Sequence, residues 1–256
     1  MYVDSHCHLN FPELRAEFSG VLARMHAAGV SHALSVCTKL EEFDDIHSMV
    51  LGTEHVFASV GVHPSETGCR EVDCDTLGAL SQRARVVAIG ETGLDYYWHK
   101  EAPDWQRERF CQHIQAARET AKPLIIHTRD AAADTLRLMR QERAREAGGV
   151  MHCFTDTLET AQAAMEMGFH ISFSGIVTFK RAQALREVAA AVPMELLLIE
   201  TDSPYLAPVP HRGKTNEPSF VPHVAAEIAR IKGMPVEDVA RITSENFFRL
   251  FRIPHP

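Results

Sequence analysis

The chain has 256 residues, 45% of them hydrophobic and 23% charged, a composition that supports a sizeable core and excludes extended disorder. Its formal net charge is −8, so no global field draws it to a polyanion, and contact with nucleic acid must rest on a local group of cations. The longest apolar runs fall far short of the roughly 18 residues of a membrane span.

The first residues run into V-D-S-H from Val3 rather than a basic and then apolar leader, so the expectation is a cytoplasmic protein without membrane attachment. Six cysteines form no C-x-x-C pair; several lie in apolar runs, as suits reduced, buried thiols in a reducing compartment.

Short β-type runs alternate with helical stretches throughout. Strands are expected over residues 2–5, 32–37, 56–62, 86–90, 124–128, 149–153, 170–174 and 196–201. Most are near-continuous apolar runs, the pattern of parallel strands covered on both faces. Between them, Phe110, Ile114, Ala117 and Ala121 form an apolar stripe at helical spacing, and D-T-L-E from Asp156 has the form of a capping box. Two further helices are expected around 224–231 and 236–251. No linker or low-complexity tract divides the chain, so residues 1–256 read as a single domain. Eightfold strand–helix alternation predicts an α/β fold, a TIM-like (β/α)8 barrel, with a doubly wound open sheet as the alternative.

Metal-capable side chains recur at the C-terminal ends of these strands. His6 and His8 follow the first, His63 (in G-V-H-P) the third and Glu91 (in G-E-T-G-L-D-Y) the fourth. His127 closes the fifth, His152 the sixth and Asp202 the eighth. Singly, a strand-end histidine reads as a hydrogen-bonded structural group, and an acidic residue there as the cap of the next helix; Asp130 and Asp156 are read as such caps. Together, six of these groups on five strands, all but His63, converge on one mouth of a barrel, where burial needs a compensating cation. Four histidines and two carboxylates exceed the shell of one catalytic ion and fit two divalent ions with one carboxylate bridging. The mixed donors suit Zn²⁺, Mn²⁺, Fe²⁺, Co²⁺ or Ni²⁺ better than Mg²⁺. Cys7, between the two histidines, points away by strand alternation and reads as packing.

The ordered set D-S-H-C-H-L, G-V-H-P, G-E-T-G-L-D-Y, I-I-H-T-R-D, H-C-F and E-T-D-S-P-Y, followed by S-E-N-F-F, spans residues 3 to about 250. It resembles the TatD family of metal-dependent hydrolases, within the amidohydrolase superfamily, and its YcfH-type bacterial members most. The resemblance implies a barrel with a two-metal site in which His6, His8 and Asp202 hold one ion, His127 and His152 the other, and Glu91 bridges. It casts Asp202 as the general base and His63 as a group near the substrate phosphate. It implies a deoxyribonuclease of 3′-to-5′ exonuclease type, a metal-bound hydroxide attacking the phosphodiester. Some members are linked to removal of D-amino acids from tRNA. An ester or amide hydrolase such as a lactonase or D-aminoacyl-tRNA deacylase is therefore the competing reading, and a non-catalytic metal-binding scaffold a third.

Arg129, Lys180 and Arg212 are placed to meet substrate phosphate, although Arg212 and Lys214 read equally as parts of a solvated connector in the long loop 203–218. Glu200, Tyr205 and Asn216 are candidates for orienting the ligands. Tyr96, Tyr97 and Trp98 suit either base stacking or packing under the next helix. With few candidate cations, the expected partner is DNA or a short oligonucleotide held by a single-stranded end. Nothing in the sequence fixes an oligomeric state.

Overall fold

The computed structural model describes residues 1–101 and 103–254. Eight strands form one parallel sheet in the order of the chain: β1 (Tyr2–Cys7), β2 (Val30–Ser35), β3 (Val56–Val60), β4 (Val86–Asp95), β5 (Leu124–Arg129), β6 (Gly149–Met151), β7 (Phe169–Phe173) and β8 (Leu197–Ile199). Helices cross between successive strands, giving a TIM-like (β/α)8 barrel. No described helix is long and apolar enough to cross a membrane, and all six thiols are free.

Two apolar layers hold the barrel. One lies between strands and helices. The other fills the barrel below the mouth, where Val3, Leu34, Phe57, Ile125 and Leu198 meet Phe247, Phe248 and Phe251 from the C-terminal segment. Burying each phenylalanine stabilises the fold by about 2 kcal/mol, so the S-E-N-F-F stretch closes the floor.

The β8–β1 seam is closed by the segment that follows β8. Asp202 N–H donates to His6 O (2.9 Å) and His8 N–H to Ser203 O (2.8 Å). Asp4 reinforces the seam, accepting from Thr201 N (2.9 Å), Thr201 Oγ1 and His6 N (3.3 Å). Burial pushes its carboxyl up to about 8.

Three local expectations are corrected. Ala121 lies past the helix Asp104–Thr120, exposed and left-handed (φ 54°), so the buried stripe is Phe110, Ile114 and Ala117. Neither Asp130 nor Asp156 is an N-cap: Ala131 and Thr157 hold those positions, and Thr157 accepts from Thr160 N. Asp156 instead braces the turn by accepting from Thr157 N (2.7 Å). His6 and Glu91 lie within β1 and β4 rather than after them; at β4 the ladder with β5 continues to Asp95↔Arg129. Gly93 permits the extension: with φ +132°, a Cβ there would lie 2.0 Å from His127 O.

The helix Asp104–Thr120 fixes two rim segments from behind. His113 accepts from Val62 N–H through Nε2 (3.0 Å) and donates through Nδ1 to Arg109 O (2.8 Å). Gln106 accepts from Asp95 N (2.9 Å) and donates to Pro64 O (2.9 Å). Burial pushes the His113 imidazole down from 6.5 to about 4. Above pH 6.5 it is neutral whether the chain is folded or unfolded. As pH falls towards 4 the unfolded chain binds the proton first, so stability drops by about 3 kcal/mol over that window. Urea midpoints at about pH 7 and about pH 5 read the drop, and His113→Gln is expected to flatten it; an unchanged slope in the variant would clear His113 as the cause.

Candidate active site

Glu91 is 2% exposed at the centre of the mouth, and its two oxygens face different histidines. Oε2 lies 3.4 Å from His6 Nε2 and 4.0 Å from His8 Nε2. Oε1 lies 2.7 Å from His152 Nε2, 3.3 Å from His127 Nδ1 and 3.3 Å from His63 Nε2. Asp202 Oδ1 faces the first group, 3.4 Å from His8 Nε2 and 3.7 Å from His6 Nε2. Three overlapping triads have metal-binding spacing: His6–His152–Asp202, His6–His8–Glu91 and His63–Glu91–His127.

The far nitrogen of each ring decides what the near one can do. His8 Nδ1–H donates to Val36 O (3.2 Å), His127 Nε2–H to Asp95 Oδ2 (3.1 Å) and His152 Nδ1–H to Glu200 Oε1 (3.3 Å). In the neutral ring, the state that binds metal, these three therefore turn lone pairs into the cluster. His63 is the reverse: its Nδ1 accepts from Ser65 N–H (3.0 Å), so in the neutral ring Nε2 carries the proton towards Glu91. The spacing admits His63 to a triad, but its tautomer makes it a donor. His6 Nδ1 is buried without a partner, and its ring stacks on His152 at 3.9 Å.

This donor set fits divalent metal. The inner nitrogens of His8, His127 and His152 and the oxygens of Glu91 and Asp202 approach one another with no lysine or arginine among them. His6 and His8 bring their Nε2 atoms to 3.4 Å. Burial opposes charge on every member. Even so, the surrounding imidazoles hold Glu91 and Asp202 below the usual carboxylate range. The carboxylates likewise hold His8, His127 and His152 above the usual imidazole value. Burial prevails at His6 and His63, which are shifted down.

Residues 3–252 match the sequence model of the family described as TatD related DNase. The chain belongs to the TatD family. It is 48% identical over 254 residues to the metal-dependent hydrolase YcfH of Escherichia coli K12, covering 98% of this chain and 96% of that protein. Identity to the 3′-5′ ssDNA/RNA exonuclease TatD of Citrobacter rodentium is 35% over 239 residues, 91% of each chain. The crystal structure of the TatD homologue YJJV from Escherichia coli K12 superposes with a TM-score of 0.92 at 28% identity, covering 99% of this chain and 98% of that one. The site is thus that of a TatD-family metal-dependent hydrolase.

The remaining candidates of this TatD-family site divide. Glu200 is fully buried and holds both His152 Nδ1 and Cys153 N (2.8 Å). Asn216 does not touch a ligand; it braces the loop by donating to Thr201 O (2.9 Å) and Tyr205 O (2.6 Å). Tyr205 is exposed on the rim. Tyr96 packs, donating through its hydroxyl to Asp134 (2.8 Å), whereas Tyr97 and Trp98 are exposed. Arg129 and Lys180 are exposed. Arg212 lies over the Phe179 ring at 3.8 Å and donates to Ala207 O (3.3 Å). Cys7 is buried in the strand–helix layer and donates to Leu34 O (3.3 Å).

Sequence reading missed Asp4 and Asp95. Both are acids inside or closing an otherwise apolar strand, and that contrast was the available signal. For Glu200→Gln, metal affinity is expected to fall about 10- to 100-fold, because the amide orients the His152 ring less strongly than a carboxylate. Calorimetric titration with Zn²⁺ or Mn²⁺ measures this, and wild-type affinity would show that Glu200 does not tune the ligand.

Proposed function

We propose that the chain is a two-metal phosphodiesterase, a deoxyribonuclease of 3′-to-5′ exonuclease type acting on single-stranded ends in the cytoplasm. The observation that carries this is Glu91, whose two oxygens divide between two groups of imidazoles. One ion would be held by His6, His8, Asp202 and Glu91 Oε2, the other by His127, His152 and Glu91 Oε1. The nitrogen-rich set favours Zn²⁺, Mn²⁺ or a similar ion over Mg²⁺. When bound, such ions polarise phosphoryl oxygens and lower the pKa of water.

The chain's own groups do the rest. Asp202, held ionised beside His8, takes the proton of the attacking water at a carboxylate oxygen. Water oxygen bonds to phosphorus, the bond from phosphorus to the leaving ester oxygen breaks, and that oxygen takes up the proton that Asp202 received. His63, with its proton on Nε2, donates to a non-bridging oxygen. Arg129, Lys180 and Arg212 supply positive charge around the rim of an acidic protein. The free thiols agree with a reducing compartment. The Citrobacter rodentium relative, named as a single-strand exonuclease, supports this substrate class.

The test is a substrate panel after chelation and reloading with Zn²⁺, Mn²⁺ or Mg²⁺. Bis-p-nitrophenyl phosphate and a 3′-labelled oligonucleotide are expected to be cleaved, with activity lost in chelator and restored by metal. Cleavage confined to a lactone or a D-aminoacyl-tRNA would overturn the nuclease reading. Absence of both bound metal and metal-stimulated activity would overturn the enzyme.

A further inference from the structure

The β4–β5 ladder runs two pairs beyond the site, from Gly93↔His127 to Asp95↔Arg129, about 7 Å along the strands. There the chain turns around Asp95. Its Oδ1 accepts from Tyr97 N (3.0 Å) and Trp98 N (3.1 Å), while Oδ2 accepts from His127 Nε2 (3.1 Å) and Ser65 Oγ (3.3 Å). One buried carboxylate therefore positions both a metal-facing imidazole and two aromatic residues.

Tyr97 and Trp98 are 43% and 65% exposed, edge to face at 4.9 Å. The Arg129 guanidinium lies 3.8 Å from the Tyr97 ring centroid and 5.9 Å from that of Trp98. No carboxylate pairs with Arg129 among the described residues, although the chain carries an acidic excess of eight charges.

A second aromatic ledge stands across the mouth. Phe11 lies over the His8 ring at 4.7 Å, nearly parallel, and Tyr205, 55% exposed, meets Phe11 edge-on at 6.1 Å. With strands ordered β1 to β8, the β8–β1 seam and the β4–β5 pair occupy opposite walls. The imidazole–carboxylate cluster lies between the ledges.

We infer that the two ledges are base subsites, so that the ligand is a single strand with an unstacked nucleotide on each side of the phosphate that meets the metal-binding cluster around Glu91. This rests on the nuclease reading above and deepens it. Exposed rings take the faces of bases without regard to sequence, and an arginine beside them adds attraction for the backbone. Arg129 is free to meet the next phosphate. A duplex cannot splay its bases onto opposed ledges without unpairing, which makes single-stranded ends the substrate.

The test compares a 3′-labelled single strand with the same strand lacking the bases of its last two nucleotides, using the metal-loaded protein. Stacking on this scale makes the base-bearing strand better in kcat/KM by about tenfold or more. Trp98→Ala and Tyr205→Ala, both at exposed positions, are each expected to raise KM for that strand about fivefold with a smaller change in kcat, and the double variant to erase the discrimination. Binding without turnover is read on the metal-loaded protein with a strand whose terminal linkage is a non-cleavable methylenephosphonate. The strand should quench tryptophan emission in Trp105→Phe, which retains Trp98, and fail to do so in Trp98→Phe.

Equal kcat/KM on the two strands, or discrimination that survives in the double variant, overturns the ledges and leaves the nuclease reading standing. So does the absence of quenching while the cleavable strand is still cut. If neither strand is cut while a lactone or aminoacyl ester is hydrolysed, both readings fall together.

Discussion

Glu91→Ala is expected to lower metal-dependent turnover by about 10³-fold or more and to reduce bound metal while the barrel stays folded. The side chain is almost fully enclosed, and five imidazoles approach it within 4.0 Å. Removing it deletes the one carboxylate that faces both groups of histidines, and no neighbouring acid can substitute for it. Asp202 faces only the His6–His8 side, while Asp95 and Glu200 are committed to the outer nitrogens of His127 and His152. Glu91→Gln is the stricter variant, since it keeps the volume and removes the charge. Elemental analysis, circular dichroism and turnover of bis-p-nitrophenyl phosphate together read the outcome. Turnover within about tenfold of wild type in either variant would show that Glu91 does not join the metal groups.

Asp202→Asn is expected to lower kcat by about 10²- to 10⁴-fold, with KM changing far less, because the amide keeps the shape but cannot take the proton. The carboxylate is well placed to receive that proton, being more open to solvent than Glu91, 15% accessible against 3%. Its backbone is pinned to His6 O across the seam, so the substitution leaves the closure intact. An equal loss in kcat and metal content would reassign Asp202 to holding the ion alone, and near wild-type kcat would remove it from the proton transfer. Glu91→Gln separates the two roles, since it strips metal without touching the proposed base.

The architecture was legible because strand-like runs, most of them apolar throughout, alternate eight times with helical stretches, and that alternation is local in the chain. Placing each metal-capable residue near the end of its strand needed only the convergence of strand ends in a parallel barrel. Boundaries were less legible. Where β4 stops depends on its pairing with β5, and Gly93 opens the space for that pairing only once His127 is beside it. The caps at Asp130 and Asp156 failed for a related reason: several nearby polar groups compete to end a helix, and backbone angles choose among them.

Residue type and order alone determined the family, the barrel and the metal-capable set His6, His8, Glu91, His127, His152 and Asp202. Only the tertiary structure decided how those groups are oriented. Three imidazoles turn their outer nitrogen to a partner remote in sequence: Val36 for His8, Asp95 for His127 and Glu200 for His152. His63 instead meets the Ser65 N–H, two residues on, in the turn that the fold imposes there. Those partners determine which nitrogen keeps its proton, and so distinguish a lone-pair donor from the proton donor His63. Tertiary contact likewise separated Tyr96, packed on Asp134, from Tyr97 and Trp98 on the open rim. An aromatic run has no periodicity that tells burial from display; the Asp95 turn makes that choice.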